Sequence, residues 1–390
     1  MKKNSKYINL MIYIIIIFLF LYAINNYTYL SNLKFENFEI APTNFSYYRC
    51  NDKILGKIAQ NIFDNNNIKQ SNDNWNIYIP CGYNEVETEL KQIIIKDDMS
   101  NKYIFGLNGC DSIVSKNQIW DSLVKCFGRK HASTLMPESY ILNNINEMQL
   151  FRMNFVPHKN NIYILKKNVQ RKEGLKLTRN YLEIVEAKAD NYRIVQKYIT
   201  DLYLINDRKV NLRIYLLVVI KKNTIYFYLC KNGKCIYTNK KYNDNDLDFE
   251  SNITSYNLDM NIYKENPRNF DELKQYINTK QNNKNAGQIL FNKVELLMRE
   301  ISQCLSKSLY QSKNILGTTT FQLFGADVIF NKDLHPYLLE LNKGPDMSAR
   351  DDTDEMMKTL VQTDMYKTVG ILPEDLHKNN SFYLIYTNLL

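Results

Sequence analysis

Glycine and proline are scarce in this chain of 390 residues, with 12 and 8 copies respectively. Their scarcity excludes collagen-like and low-complexity classes of protein. Hydrophobic residues make up 45% of the chain and charged residues 23%, which are the proportions of an ordered globular protein. Because a chain of this length exceeds one ordinary hydrophobic core, we expect about two or three packed lobes.

The sequence also lacks Cys-x-x-Cys pairs and any cluster of cysteine and histidine with the spacing of a zinc site. Its seven cysteines are scattered, and their odd number argues against a disulfide framework, so we expect buried, apolar thiols. No block of lysine and arginine typical of nucleic-acid binding occurs, and nucleic acid is discounted as a partner. The net charge of +9 is a mild indication of an acidic partner.

One segment differs from the rest in hydropathy. Residues 8–24 carry no charge and follow a short basic tail at residues 1–7. The apolar run is at the short end for a bilayer span. A signal peptide is the alternative, but its apolar run is usually shorter and ends at a small-residue cleavage site, which this segment lacks. The sequence therefore predicts a single-pass membrane anchor, with the side of the membrane left open.

The rest of the chain mixes helical and strand patterns. Residues 118–127 have the apolar spacing of a helix, whereas residues 210–220 alternate like a long strand that turns at residues 221–223 into a second strand. Strands, helices and hairpins in one chain indicate an α/β (α+β) fold rather than a bundle or a sandwich. The predicted segments are a stalk, an N-terminal lobe, a central lobe, a C-terminal lobe and a tail, at residues 25–52, 53–105, 106–208, 209–378 and 379–390.

A β-hairpin is predicted at residues 321–342. With the turn centred on Lys332 and Asp333, Phe324 pairs with Leu341, and one face of the hairpin becomes wholly apolar. That face is expected to be buried. The sorting of polar and apolar residues onto separate faces is rare in a random hairpin.

The polar face of this hairpin carries Asp327, Glu340 and Asn342. In the predicted register Gly325 opposes Glu340 and leaves room for an ion, while Asp327 lies diagonally across from Glu340. Diagonal Cβ atoms are about 7–8 Å apart, so both carboxylates reach one cation. Oxygen ligands of this kind suit Mg²⁺. The alternative is a hairpin whose carboxylates face solvent.

At these residues the sequence resembles the tubulin–tyrosine ligase-like family. The stretch LFGADVIFNKDLHPYLLELNKGPDM is similar to that family's C-terminal signature, a Gly-x-Asp strand followed by Leu-Glu-x-Asn. The resemblance covers most of residues 106–371 and implies an ATP-grasp fold. It also implies that Asp327, Glu340 and Asn342 hold the Mg²⁺ that bridges the phosphates of ATP.

The resemblance extends to a nucleotide site. IYILKKNVQRKEGLKL resembles the family's strand, lysine and phosphate loop, and IVQKYI resembles the hinge that pairs with adenine. Without the family context, the basic run is more typical of a solvated face. By position the resemblance implies ATP contacts from Lys166, Arg171, Gly174, Gln196, Tyr198, Ile199, Lys209 and Thr254.

The strand RKVNLRIYLLVV places Lys209, Asn211 and Arg213 on one side and aliphatic residues on the other. A row of basic side chains with an aliphatic back needs an anionic partner. The strand resembles the family's Lys-x-Asp-Leu-Arg motif, whose lysine and arginine engage ATP and substrate carboxylates. The resemblance therefore implies catalytic roles for these three residues.

Departures from the family pattern concentrate at the substrate positions. Asn211 replaces the aspartate of the motif, Asn252 replaces a histidine, and Ser255 replaces an asparagine. Ile236 or Cys235 stands where relatives place an arginine that holds the incoming amino acid. The metal and phosphate positions are kept, so these departures put the identity of the substrate in question more than the binding of ATP.

The resemblance implies an ATP-dependent carboxylate–amine ligase. ATP phosphorylates a carboxylate to an acyl phosphate, and an amine then attacks to form an amide. The implied acceptor is a tubulin-like acidic protein tail, and the implied amine is glutamate, glycine or tyrosine. The departures motivate a second hypothesis, a membrane-tethered pseudoenzyme that binds nucleotide or an acidic tail without ligation. A small-molecule ATP-grasp ligase is the third.

Overall fold

The computed structural model describes residues 45–50, 53–82, 84–95, 98–156, 161–169, 174–243, 245–254, 257–374 and 379–390. These residues all belong to one contact unit of the chain, Pro42–Leu390. Two β-sheets with helices packed on them form its framework.

Strands and α-helices are interspersed along the described part of the chain. The strands are β1 (Ser46–Tyr48), β2 (Lys69–Gln70), β3 (Ile77–Tyr78), β4 (Tyr103–Phe105), β5 (Ser139–Ile141), β6 (Tyr163–Lys166), β7 (Leu175–Thr178), β8 (Ile194–Lys197), β9 (Val210–Lys221), β10 (Thr224–Tyr237), β11 (Thr319–Phe330), β12 (Pro336–Asn342) and β13 (Phe382–Leu389). The α-helices are α1 (Lys57–Asn65), α2 (Val86–Gln92), α3 (Cys110–Val114), α4 (Lys116–Phe127), α5 (Arg129–Leu135), α6 (Ile145–Asn154), α7 (Tyr181–Glu186), α8 (Phe249–Asn252), α9 (Phe270–Lys280), α10 (Ala286–Leu305) and α11 (Asp352–Val369).

The larger sheet has nine strands in the described residues, in the order β13-β10-β9-β11-β4-β3-β1-β2, with β12 also paired to β11. Its central strands β9 and β11 are buried along almost their whole length. Both read as nearly continuous apolar runs, as expected for strands covered on both faces. Trp120 of α4 and Leu290 of α10 belong to the main core, which includes Leu216 of β9. Strand β9 turns into β10 at Lys222 and Asn223, whose φ angles of 49° and 60° are those of a tight hairpin turn.

The smaller sheet is antiparallel throughout, in the order β5-β8-β6-β7. One core cluster of this part of the chain joins Phe151 of α6 and Ile184 of α7 to Leu165 and Val195 of the sheet. Another contains Ile164 and Tyr198, which also line the cavity described below. The smaller sheet therefore has one helix-covered face and one face that borders a cavity.

The hairpin of β11 and β12 forms where the sequence predicts it, but in a different register. Ala326 pairs with Leu341 and Asp327 with Glu340, after which a bulge shifts the pairing so that Val328 faces Leu338. The register beside the polar residues thus differs from the predicted one by two residues. Because side chains alternate with a period of two, a shift of two leaves each of them on its predicted face.

The expected fold class and localisation need a correction. None of the helices formed by the described residues is long and apolar enough to cross a membrane. This finding overturns the prediction of a transmembrane helix in the fold, of a single-pass membrane localisation and of the membrane as a partner. The predicted segment, residues 8–24, and the basic tail at residues 1–7 lie outside the described residues. The described fold is mixed α/β and consistent with an ATP-grasp architecture.

Several predicted segments share the larger sheet. Strand β1 comes from the predicted stalk, β2, β3 and β4 from the predicted N-terminal lobe, and β9 to β12 from the predicted C-terminal lobe. Strand β13 comes from the predicted tail and pairs antiparallel with β10. One sheet therefore spans the stalk, two lobes and the tail.

The expectation of unpaired thiols is wrong for four cysteines. Disulfides join Cys50 to Cys81 and Cys126 to Cys304, with Cα–Cα distances of 5.5 and 5.9 Å, within the usual range. The second bridge connects α4 to α10. The remaining cysteines, Cys110, Cys230 and Cys235, are free and buried. An odd cysteine count is a poor argument here, because the remaining cysteines pack as apolar residues.

The disulfides make a direct prediction. Alkylation of the unfolded but unreduced protein should label three cysteines, and reduction should raise the number to seven. Because the Cys126–Cys304 bridge joins residues 178 apart, its loss should lower the free energy of unfolding by about 2–5 kcal/mol. In denaturant titrations the Cys126→Ala/Cys304→Ala double variant should lose the part of the stability difference between oxidised and reduced protein that this bridge contributes, and keep the part that comes from Cys50–Cys81. Cys230→Ala, which breaks no bridge, should keep it. Seven labelled cysteines without reductant would contradict the pairing.

Candidate active site

A cavity of about 490 Å³ is lined by residues of both sheets. The smaller sheet contributes residues of β6 to β8, and the larger sheet contributes residues of β9 to β12. The cavity wall carries apolar side chains, such as Ile164, Ile329 and Leu339, together with many charged ones. This mixture is typical of a ligand site with an apolar part and a charged part.

A row of four charged side chains crosses the larger sheet at the cavity. Glu340 of β12 pairs with Asp327 of β11, Asp327 with Arg213 of β9, and Arg213 with Lys234 of β10. Directly paired residues point to the same side of a sheet, and all four line the cavity. Neighbouring strands are about 4.8 Å apart. The charged row thus has an acidic end at Glu340 and a basic end at Lys234.

Arg213 and Asp327 form the centre of the charged row. Arg213 Nε donates to Asp327 Oδ1 at 2.6 Å and its NH2 donates to Oδ2 at 3.2 Å, a bidentate ion pair. Burial raises the pKa of the Asp327 carboxyl, and Arg213 opposes that shift. A Cβ at Gly325 would lie 3.2 Å from Arg213 Cδ and 3.0 Å from Pro345 Cβ. The glycine therefore leaves room for the arginine, and not for an ion as the predicted register suggested.

Lys116 balances the charge at the acidic end. Its Nζ lies 3.2 Å from Glu340 Oε2, and it also donates to the carbonyl of Val169 at 3.3 Å. Burial alone would raise the pKa of Glu340, but the positive charges of Lys116, Lys166 and Arg213 lower it. The sequence analysis missed Lys116, because a lysine at the start of a helix carries no pattern that links it to a distant hairpin.

The predicted metal-binding residues lie together on one face. Asp327 is directly opposite Glu340 rather than diagonal to it, and Asn342 Nδ2 lies 3.5 Å from Glu340 Oε1. Two carboxylates and a carboxamide form the oxygen-rich donor set that Mg²⁺ prefers. Each carboxylate already faces a cationic group, Arg213 or Lys116, which shows that this part of the cavity attracts positive charge. The residues present therefore fit a magnesium ion.

Two buried lysines line the cavity: Lys166 at the end of β6 in the smaller sheet, and Lys209 just before β9 of the larger sheet. Lys166 Nζ donates to the carbonyl of Leu339 at 3.4 Å. Lys209 Nζ donates to the carbonyl of Asn252 at 2.8 Å and to the hydroxyl of Tyr198 at 3.2 Å. Burial lowers the pKa of Lys166 to about 8, and burial together with the charge of Lys166 lowers the pKa of Lys209 to about 7. A bound anion would restore the usual protonation of both lysines.

Asn211 has one hydrogen-bonding group without a partner. Its Nδ2 donates to Thr254 Oγ1 at 3.0 Å, whereas its buried Oδ1 accepts no hydrogen bond from the described residues. Both residues line the cavity. A buried acceptor without a donor is costly, so this position favours a ligand that brings a hydroxyl or amine donor.

The other predicted nucleotide contacts divide into three groups. Gln196, Tyr198 and Ile199 line the cavity, although the side chain of Gln196 donates to Ser139 Oγ at 2.9 Å. Gly174 accepts a hydrogen bond at its carbonyl from Lys167 N at 2.8 Å and is not among the residues that line the cavity. Arg171 lies outside the described residues.

The basic end contains residues that the sequence analysis did not assign. Lys234, Lys358 and Arg350 line the cavity there. Ile236, one of the two residues expected where relatives place an arginine, also lines it and pairs with Asn211, whereas Cys235 is not among the lining residues. A signal for Lys234 was present, because it lies two residues before Ile236 on the same strand and so shares its face.

Comparison with known proteins gives the family of this chain. Residues 104–379 match the sequence profile described as the Tubulin-tyrosine ligase family. The chain is 27% identical over 188 residues to the probable tubulin polyglutamylase TTLL9 of Mus musculus, a match that covers 47% of this chain and 39% of that protein. It is 26% identical over 208 residues to the tubulin polyglutamylase ttll-5 of Caenorhabditis elegans, covering 47% and 27%. The matches thus span less than half the length of these relatives.

The mixed α/β fold holds a charged cavity with an acidic end and a basic end. The family match covers well over half of the chain. The chain therefore belongs to the tubulin-tyrosine ligase family, which confirms the resemblance found in its sequence.

Proposed function

We propose that this chain is an ATP-dependent ligase that joins glutamate to a carboxylate on a tubulin-like acidic protein tail. The observation that carries the proposal is the charged row, which sets two carboxylates for a metal beside an arginine and a lysine for anions. The relatives named above are polyglutamylases, which favours glutamate over glycine and tyrosine. Nothing found supports the membrane-tethered alternative.

The polar side chains have separate roles in the proposed reaction. Asp327, Glu340 and Asn342 hold Mg²⁺, which supplies neutralising charge to the phosphates of ATP when bound. Lys166 and Lys209 pair with the phosphates, and the apolar wall around Ile164 suits the adenine ring. Asn211 Oδ1, the acceptor without a partner, accepts a hydrogen bond from a ribose hydroxyl.

Arg213 acts where negative charge develops. The acceptor carboxylate attacks the γ-phosphorus, ADP leaves, and an acyl phosphate forms. The amine of glutamate then attacks the acyl carbon, loses a proton and expels phosphate, which leaves an amide. Arg213, held in place by Asp327, donates hydrogen bonds to the oxygens that gain charge in both steps. The protein contributes mainly position and charge neutralisation.

The test is Mg²⁺-dependent transfer of labelled glutamate to tubulin tail peptides by the full chain, followed by mass spectrometry and ADP release. Label in the peptide only when both Mg²⁺ and ATP are present would support the proposal. Nucleotide binding without turnover of glutamate, glycine or tyrosine would favour the non-ligating hypothesis instead. Product from free amino acids without any peptide would favour a small-molecule ligase.

The low pKa of Lys209 makes the proposed ATP binding dependent on pH. Its pKa is about 7 in the free protein because of burial and the charge of Lys166. The charge of Lys166 and the hydroxyl of Tyr198 both act on it. Phosphate charge raises the pKa, so above pH 7 binding takes up a proton and affinity falls, by up to about tenfold per pH unit.

Titrations with a fluorescent ATP analogue between about pH 6 and 9 would measure this dependence. The Lys209→Met variant should bind more weakly at the acidic end of the range and show a flatter profile. Lys176→Met removes an exposed lysine that pairs with Glu183 and serves as the control. An unchanged slope in Lys209→Met would assign the proton to another group.

A further inference from the structure

We infer that Lys234, at the basic end of the charged row, and the neighbouring Lys358 bind the α-carboxylate of the incoming amino acid. The inference rests on the proposed function for the identity of the ligand as an amino acid. It assigns this carboxylate to residues that differ from the arginine expected from the family pattern. In this chain Ile236 or Cys235 stands at that position, and neither side chain is a cation.

Backbone geometry fixes the place of Lys234. Strand β10 pairs Leu229 with Leu216 but Gly233 with Ile214, so a bulge of extra residues lies between the two pairs. The bulge brings Lys234 directly opposite Arg213. Gly233 is required there, because a Cβ on it would lie 2.5 Å from the carbonyl oxygen of Arg213 and would also clash with the ring of Phe270.

A single buried carboxylate holds both lysines. Asp354, only 1% exposed, lies 3.0 Å from Lys234 Nζ and 3.1 Å from Lys358 Nζ. It also accepts a hydrogen bond from the backbone N–H of Arg350 at 3.2 Å. Lys234 and Lys358 line the cavity, whereas Asp354 is not among the lining residues. Asp354 therefore holds two lysines that belong to the cavity wall.

Two ammonium groups at this end share one carboxylate. Lys234 and Lys358 both pair with Asp354, and neither forms an ion pair with a second carboxylate of the described residues. Arg213 is already matched by Asp327. An excess positive charge in a partly buried place is costly unless an anion binds, and a carboxylate bonds well to paired ammonium groups. The basic end is thus prepared for one carboxylate.

The position also suits the α-carboxylate in particular. Lys234 lies one strand from Arg213, about 4.8 Å away along the sheet, and two strands from the metal-binding Asp327. The reactive amine of an amino acid and its α-carboxylate share one carbon. An α-carboxylate on Lys234 therefore directs the amine towards Arg213, where the acyl phosphate is proposed to form.

The experiment measures amino-acid binding without turnover. The full chain is saturated with Mg²⁺ and a non-hydrolysable ATP analogue, and calorimetry follows the binding of L-glutamate, L-glutamine and the α-amide of L-glutamate. L-Glutamate and L-glutamine, which keep the α-carboxylate, should bind. The α-amide should bind at least about tenfold more weakly. Equal binding of the α-amide and L-glutamate would overturn the inference, as would no binding of L-glutamate at all.

Variants of the full chain identify the residue. Lys234→Gln should lower the affinity for L-glutamate at least about tenfold while leaving the nucleotide affinity unchanged. Lys234→Arg should retain most of the affinity for L-glutamate. Lys240→Gln is the control, because Lys240 is an exposed lysine just after β10 that pairs with Asp248. In Lys234→Gln the buried carboxylate of Asp354 still pairs with Lys358. The comparison of L-glutamate with its α-amide uses the unmodified protein, so it does not depend on how any variant folds. Unchanged binding in Lys234→Gln would overturn the inference.

The outcomes for the inference and for the proposed ligase are separable. A protein that binds L-glutamate through Lys234 but transfers none to a peptide would refute the ligase and leave the binding site standing. Transfer that is insensitive to Lys234→Gln, in both KM for glutamate and kcat, would keep the ligase and refute the assignment of the carboxylate to Lys234.

Discussion

Replacing Glu340 by glutamine is expected to lower the rate of glutamate transfer by roughly 10²–10³-fold or more. The substitution keeps the shape of the side chain but removes one of the two opposed carboxylates at the acidic end of the charged row. Lys116, 3.2 Å from Glu340, then has no anion to balance it there. Its ammonium would repel Mg²⁺ from a site with half the original negative charge.

The measurement is peptide-dependent glutamate transfer over a range of Mg²⁺ concentrations, with circular dichroism to confirm the fold. Glu340→Gln should require more Mg²⁺ and fail to reach the wild-type rate at saturation. Asp333→Asn is a matched control, because it removes a carboxylate from the exposed turn of the same hairpin. A Glu340→Gln rate within a few-fold of wild type would reject the proposed metal site.

Exchanging Arg213 for lysine should reduce kcat by roughly 10²–10³-fold although the positive charge is kept. Arginine contacts both oxygens of Asp327 through Nε and NH2, which fixes the plane of the guanidinium group. Lysine offers a single point charge on a flexible stem and cannot form that bidentate pair. The developing negative charge would then lose a donor held in position.

Steady-state kinetics separates this effect from simple loss of binding. For Arg213→Lys we expect a large fall in kcat with a small change in KM for ATP, since Lys166 and Lys209 remain. Arg208→Lys is the control: Arg208 lies just before β9, is not among the cavity-lining residues, and donates to the carbonyls of Thr238 and Asn239 at 3.1 and 2.6 Å. Equal losses in the two variants would point to a structural effect instead.

The hairpin shows why a sequence predicts some parts of a site better than others. The alternation of polar and apolar residues places Asp327, Glu340 and Asn342 on one face of the hairpin. A shift of the strand register by two residues, as found here, does not change that face. The bulge at Leu339 and the resulting direct pairing of Asp327 with Glu340 depend on packing in three dimensions. The set of residues was therefore predictable, and their spacing was not.

Long-range partners were the other gap. Lys116 meets Glu340, Lys234 meets Asp354, and Cys126 meets Cys304, across separations that no local pattern reports. In contrast, strand β9 was predicted to within a residue, because its alternation and its turn are local signals. The membrane prediction failed as a statement about the described fold, in which no helix is both long and apolar enough to cross a membrane.

Strand β13 supports the site from a distance. It pairs with β10 from Thr224 to Cys230, and the carbonyl of Ser381 accepts a hydrogen bond from Lys231 N at 2.9 Å, inside the bulge that positions Lys234. A shortened version of the protein that ends before residue 381 would lose the pairing of β13 with β10 and the hydrogen bond from Lys231 inside the bulge. Such truncation should impair the proposed amino-acid recognition while sparing nucleotide affinity, which would make residues 381–390 part of what selects that co-substrate.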